Sequence, residues 1–356
     1  ADGFSQPVCG MIFQTARPAC CGVALGGVGT GSLDIETSGV LGFCTAFPAP
    51  QRKYTGVMNF YRNAQMLLPF LGISVGSRTW VLTTQKYLDG GTVQGCTEPN
   101  HPDQRQLDAD PVWRGLWQAN TPSIKDVTPV RDIRYFGHFP VADLEYDIDA
   151  PVSVGLRAWA PFIPGDLENS NVPGAVFEVR LRNVSRDTQE GCVAFSFPGP
   201  AQTKPQYNVF IRSGAKGKFN GVLVSSPDKQ ISYALGVAGA GAVRCGAGLA
   251  SSPTAWSKIR SGLPQASIAD PSSSMAVDFR LWPKESKTVR IVLAWYAPRW
   301  QGGPYDDIKG FDEPWPLDSY QPAVRRADGK FYTAMYATRF KNALEVAQRL
   351  ARNHKS

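Results

Sequence analysis

The sequence is poor in the residues that mark metal and redox chemistry. Its three histidines, His101, His138 and His354, lie far apart in 356 residues, so no H-x-x-x-H or H-E-x-x-H spacing exists to ligate a transition metal. Its seven cysteines include no C-x-x-C pair, which leaves zinc-ribbon and thioredoxin-like chemistry without a spacing to stand on. Apolar runs never approach the ~18 residues that a membrane-spanning helix needs. Charged residues make up only 19% of the chain, and the net charge of +7 comes from scattered Lys and Arg, denser only from Arg325 to Lys355. No basic stripe is interleaved with stacking aromatics, so nucleic acid is not an expected partner. Neither a cofactor nor a metal is expected.

What the chain has in quantity is Gly (35) and Pro (28), the residues of turns, which favours β structure with many connections over long helices. The densest glycine cluster, ALGGVGTGSLDIETSGVLG from Ala24 to Gly42, lacks both the P-loop pattern and G-x-G-x-x-G. Leu33 and Ile35 alternate with Asp34 and Glu36 just after it, the two-residue period of a strand. The cluster therefore reads as turn and bulge glycines rather than a phosphate cradle. GISVG at Gly72–Gly76 satisfies G-x-S-x-G, but Ser77 to Leu82 continue with strand alternation. A nucleophile elbow needs a helix there, so Gly76-Ser77 reads as a hairpin turn.

Strand-like alternation recurs through residue 295. Leu144, Tyr146 and Ile148 oppose Asp143, Glu145 and Asp147; Phe177, Val179 and Leu181 oppose Glu178, Arg180 and Arg182. Val193, Phe195 and Phe197 continue the pattern, and AVDFRLWPKESKTVRIVLAW reads as two strands around a Pro283 to Lys287 turn. Many short strands with apolar inner faces predict an all-β fold, a large antiparallel β-sandwich over residues 1–297. The acidic stripe Asp143, Glu145, Asp147 is read as the wet face of a strand.

Two stretches break the pattern. Residues 96–138 read as a long loop with Trp113 and Trp117, and residues 298–329 as an aromatic and acidic loop with Asp312 and Trp315. Long loops of this kind carry function more often than core. Stacking rings beside hydrogen-bonding acids suit a sugar, so Trp113, Trp117, His138, Asp312 and Trp315 are the candidate substrate-binding residues. His138, within RYFGHFP, reads more readily as a satisfied histidine where a loop enters a strand. Residues 330–356 then switch to a helical period, with Tyr336, Phe340, Leu344, Ala347 and Ala351 on one face, predicting an amphipathic C-terminal linker helix over about 330–352. That face needs cover from the sandwich or from a partner.

Four of the seven cysteines, Cys9, Cys20, Cys21 and Cys44, precede residue 45. With an N-terminal Ala-Asp-Gly like a signal-peptidase product, they favour a periplasmic or secreted protein, with a cytoplasmic one as the alternative.

GVALGGVGTGSLDIETSGVLG, YFGHFPVADLEYD, WAPFIPGDLENSNVPGAVFEVRLRNVS and YTAMYATRFKNALEVAQRL, in this order, resemble the N-terminal domain of the non-lysosomal glucosylceramidase or bile-acid β-glucosidase family, glycoside hydrolase family 116. The resemblance implies a β-sandwich followed by an α/α barrel that holds the two catalytic carboxylates of a retaining β-glycosidase. On that basis this chain carries no catalytic residue and is expected to be inactive alone. Its expected partners are the catalytic barrel, in the same polypeptide or a separate chain, and a β-glycoside substrate. Tyr336, Phe340, Leu344 and Ala347 are the expected contacts to the barrel. The alternative is a free-standing carbohydrate-binding or assembly module.

Overall fold

The computed structural model describes residues 10–19, 22–47, 65–85, 127–200, 209–239, 241–249, 252–301 and 331–353. Trp113, Trp117, Asp312 and Trp315 lie outside these residues, as do Cys9, Cys20, Cys21 and Cys96.

Alternation becomes strands, and the described strands form four sheets, the two largest packed on each other. The eight-stranded sheet runs, in spatial order, β13 (Ile211–Ala215), β14 (Phe219–Ser225), β15 (Ser232–Ala238), β18 (Ser286–Tyr296), β11 (Gly174–Asn183), β10 (Val152–Trp159), β9 (Val141–Asp147) and β8 (Asp132–His138). All its pairs are antiparallel. The six-stranded sheet runs β16 (Arg244–Gly246), β17 (Ser273–Leu281), β12 (Gln189–Phe197), β5 (Leu71–Val75), β6 (Arg78–Thr84) and β7 (Val127–Val130). Its last pair, β6 with β7, is parallel. A four-stranded sheet of β1 (Val23–Leu25), β2 (Leu33–Ile35), β3 (Val40–Cys44) and β4 (Gln65–Pro69) carries the glycine cluster, and β19 (Arg299–Gln301) pairs with β20 (Phe331–Thr333).

The inward faces are those the period-two pattern assigns. Phe177, Val179 and Leu181 on β11 meet Val193, Phe195 and Phe197 on β12 in one buried core. Aromatic rings form its centre: Phe195 lies edge-on to Phe70 at 5.3 Å and to Phe177 at 4.9 Å, and Phe197 to Tyr233 at 5.0 Å. Such edge contacts add to the area these rings remove from water. The turn expected around Pro283 forms, with Lys284 in the left-handed region at φ 66°, and it carries the chain from β17 in one sheet to β18 in the other.

Three sequence expectations are corrected. The stretch 96–138 is not loop to its end, because Val127–Val130 and Asp132–His138 are strands β7 and β8. Pro129, which argues for a loop, sits on an edge strand, where its missing N–H costs no ladder bond. The segment 298–329 likewise starts in strand, with Arg299–Gln301 paired to Phe331–Thr333. Finally, no helix runs from 330. After β20 comes a 3₁₀ turn at Met335–Thr338, and the helix proper spans Ala343–Asn353. Its start is set by Asn342, whose Oδ1 accepts from the amides of Leu344 at 3.0 Å and Glu345 at 3.1 Å, while Glu345 reaches back to the Lys341 amide at 2.8 Å. This is an N-cap with a returning glutamate.

Numbered with α1 (Leu167–Ser170) and α2 (Pro253–Ser257), this helix is α3. Ala343, Val346, Ala347, Leu350 and Ala351 are its buried residues. They pack, with Tyr336 and Phe340, on the outer face of the eight-stranded sheet against Val176, Phe219, Ala234, Val292 and Ala294. Burial of this kind stabilises by about 1.5–3 kcal/mol for each large apolar side chain. Leu344 is only half-buried at the margin. Of the four residues read as barrel contacts, Tyr336, Phe340 and Ala347 are thus inside the chain's own packing. Among the described residues no helix is long and apolar enough to cross a membrane.

Candidate functional site

The glycine cluster spends its backbone donors on the protein itself. The Gly27 amide donates to the Val172 carbonyl at 3.2 Å, Val28 to Ser170 at 2.7 Å and Thr30 to Gly27 at 3.2 Å. The turn is wedged so tightly that a Cβ on Gly27 would sit 2.5 Å from the Ser170 oxygen and from the Val172 nitrogen and oxygen. Trp295 closes it by donating Nε1–H to the Thr30 carbonyl at 2.8 Å. An anion nest needs free N–H groups converging on an empty space, and these amides are committed. Ser74 of GISVG is equally committed: it is buried within β5 and donates to the Arg78 carbonyl at 3.2 Å. Gly76, at φ 61°, makes the turn.

Among the candidate substrate-binding residues, His138 is the one the structure describes. It ends β8, just before a turn containing the cis Phe139–Pro140 bond. Its ring lies 4.8 Å from that of Phe136, tilted by 41°, and its Nε2 lies 3.4 Å from Asp143 Oδ2. Asp143 is held from the other side by Arg157, Nε donating to Oδ1 at 2.8 Å and Nη2 to Oδ2 at 3.0 Å. Two strands further on, Arg290 Nε donates to Glu178 Oε1 at 2.8 Å.

Strand register assembles these side chains into one row. Phe136 faces Asp143, Asp143 faces Arg157, Arg157 faces Glu178 and Glu178 faces Arg290. Charge alternates along the row on the outer face of the sheet, beside α3. Asp143, Arg157 and Glu178 are only 14–16% exposed, so the pairs sit in a lower dielectric than a surface ion pair, and removing one member leaves its partner uncompensated. Sequence reasoning took Asp143 for a wet-face residue because nothing local reveals which cross-strand neighbour it meets.

What can this row do? Its two carboxylates lie two strands apart, about 9–10 Å from strand spacing alone, whereas a retaining glycosidase holds its pair at about 5–5.5 Å. Each is also held by an arginine, so its oxygens are already engaged within the sheet face. The arrangement suits a rigid, self-neutralised sheet face rather than acid–base catalysis.

A second polar feature went unread in the sequence. Asp34 and Glu36 face the side of β2 opposite Leu33 and Ile35, as alternation requires, yet both carboxylates are buried. Burial pushes Asp34 up to about 6. Glu36, buried and beside the charge of Asp34, is pushed up to about 7. The Glu36 side chain lies over Gly42, where a Cβ would come within 2.1 Å of its Oε1. Among the described residues no group of three or more His, Cys, Asp or Glu could hold a metal ion.

Comparison with curated proteins gave no match. Among solved structures, the chain is similar to a putative kojibiose phosphorylase from human microbiome, at 7% identity and a TM-score of 0.25, over 46% of this chain and 19% of that one. It is also similar to a polysaccharide lyase, at 8% identity and a TM-score of 0.28, over 75% of this chain and 32% of that one. The chain thus spans about a fifth and about a third of the length of these two proteins. Residues 22–238 match the family described as beta-glucosidase 2, glycosyl-hydrolase family 116 N-term. That match covers the glycine turn, the His138 turn and the charged row as far as Glu178, and the chain belongs to this N-terminal domain family of glycosyl-hydrolase family 116.

Proposed function

We propose that this chain is the non-catalytic N-terminal domain of a retaining β-glycoside hydrolase of the β-glucosidase or glucosylceramidase-like kind. In this reading it supports an α/α barrel that carries both catalytic carboxylates. The observation that carries the proposal is the family match over residues 22–238. It is supported by the described acids with the most defined surroundings. Asp143 and Glu178 are locked to arginines, and Asp34 and Glu36 are buried side by side with their protons favoured. Neither pair offers a nucleophile and an acid facing one open space. The segments with Trp113, Trp117, Asp312 and Trp315, outside the described residues, are those this reading would send to the rim of the barrel's sugar site.

The test is a comparison of hydrolysis of an aryl β-glucoside by residues 1–356 alone and by the protein that includes the barrel. The reading expects turnover only when the barrel is present. Turnover by residues 1–356, lost on substituting an acid within them, would overturn it.

A further inference from the structure

The loop between β10 and β11 combines rigidity with apolar exposure. Phe162, Ile163 and Leu167 are 40%, 49% and 54% exposed, and Phe139, 58% exposed in the neighbouring turn, meets Phe162 edge-on at 5.2 Å. An exposed loop with three large apolar side chains, and a fourth against them, would ordinarily collapse inward or stay soft. This one is held from every side. Ser170 Oγ accepts from the Ile163 amide at 2.8 Å and donates to its carbonyl at 3.0 Å, and Asp166 caps α1 through the Asn169 amide at 3.0 Å. The glycine turn grips the loop through Val28 to Ser170 at 2.7 Å and Asn171 Nδ2 to the Val28 carbonyl at 2.7 Å. Arg339 donates to the carbonyls of Glu168 and Asn171, and Arg349 of α3 donates Nη2–H to Asn169 Oδ1 at 2.6 Å. Preorganised apolar groups with a charged rim of Asp166, Glu168, Arg339 and Arg349 have the anatomy of an interface centre.

We infer that Phe139, Phe162, Ile163 and Leu167 form the surface on which the catalytic domain docks. This rests on the proposed function, since it takes the partner to be that domain. The choice of occupant comes from the path of the chain. Arg349, bonded to the loop, lies one helical turn before Asn353, about 6 Å along the axis. The described end of α3 is thus one turn beyond a residue bonded to this loop, and a domain following α3 would start near these side chains. The apolar face of α3 is already covered by the sheet, so this loop, rather than Tyr336, Phe340 and Ala347, is what the sandwich offers a barrel.

A photo-crosslinking amino acid placed at Phe162, and separately at Trp282, in the complete natural protein tests the docking surface. Trp282 is also exposed, but it follows the end of β17 near Arg182, at the far end of β11, about 30 Å away by strand rise. The surface is supported if Phe162 captures peptides of the barrel and Trp282 does not. Capture from Trp282 alone overturns the surface and leaves the proposed function standing. Capture at Phe162 of a second copy of this chain also overturns it, making the patch a self-association face. If neither position captures a barrel peptide and residues 1–356 hydrolyse the glucoside unaided, the functional reading falls as well. Phe162→Asp with Leu167→Asp, checked for native circular dichroism, should separately abolish co-elution of the two domains when they are expressed as two chains.

Discussion

Arg157 and Asp143 face each other across β10 and β9 in a bidentate pair, Nε to Oδ1 at 2.8 Å and Nη2 to Oδ2 at 3.0 Å, with both side chains about 15% exposed. Lysine cannot reproduce the two parallel donors. Arg157→Lys should therefore destabilise measurably. Arg157→Met should cost more, about 2–4 kcal/mol, because the Asp143 carboxylate is then half of a broken, largely buried pair. Adding Asp143→Asn should recover part of that loss. Urea unfolding of these variants and of Asp143→Asn alone measures it, and strictly additive costs would mean that the pair is not coupled.

The buried acids make stability depend on pH in an unusual direction. Unfolded, Asp34 and Glu36 ionise near their ordinary values of 3.8 and 4.5; folded, they keep their protons to about 6 and about 7. Between those limits the folded protein binds more protons than the unfolded chain, so this pair's contribution falls as pH rises from about 4 to about 7. The sum is on the order of 6 kcal/mol at most. Asp34→Asn with Glu36→Gln should stabilise the protein at pH 7.5 and leave it nearly unchanged at pH 4. Thermal unfolding across that range checks this, and a variant no more stable than the parent at pH 7.5 would refute it.

Steric wedging at the glycine turn predicts a sharp contrast between two glycines. A methyl on Gly27 meets three backbone atoms at 2.5 Å, whereas one on Gly214 meets nothing within 4 Å. Gly27→Ala should cost about 2–4 kcal/mol through displacement of the 170–172 backbone. Gly214→Ala should stay within about 0.5 kcal/mol. Equal effects in a chemical denaturation series would show that the turn relaxes freely.

The strands and their inward faces were legible because period two is local information: Leu144 and Tyr146, or Phe177 and Val179, declare their side of the sheet within a few residues. Register is not local. Whether Asp143 meets Arg157, and Arg157 meets Glu178, depends on how β8 to β11 and β18 slide past one another, so the charged row could not be read. Pro129 misled because its cost depends on edge or centre placement, a fact of the whole sheet. The burial of Asp34 and Glu36 was hidden for a similar reason, since alternation tells which residues share a face but not whether another layer covers it. At the C-terminus the cue was present and overlooked: Asn342 followed three residues later by Glu345 is a capping pattern, and it marks the true start of α3.

That misplacement leads to a discriminating measurement. A single helix from 330 would put Tyr336, Phe340, Leu344 and Ala347 on one equivalent face, and replacing any large member should cost alike. The break at Asn342 separates them. Phe340 is 7% exposed and packed against the sheet, while Leu344 is half-buried at the margin and Val346 and Leu350 are buried. Phe340→Ser should therefore cost about 3–4 kcal/mol, and Leu344→Ser about 1 kcal/mol or less, since little of its area leaves water. Asn342→Ala, which strips the cap but touches no core, should cost about 1 kcal/mol. Denaturation midpoints rank the three. If Leu344→Ser proves as damaging as Phe340→Ser while Asn342→Ala is silent, the helix is continuous through 342 and the face predicted from the period is the one that packs.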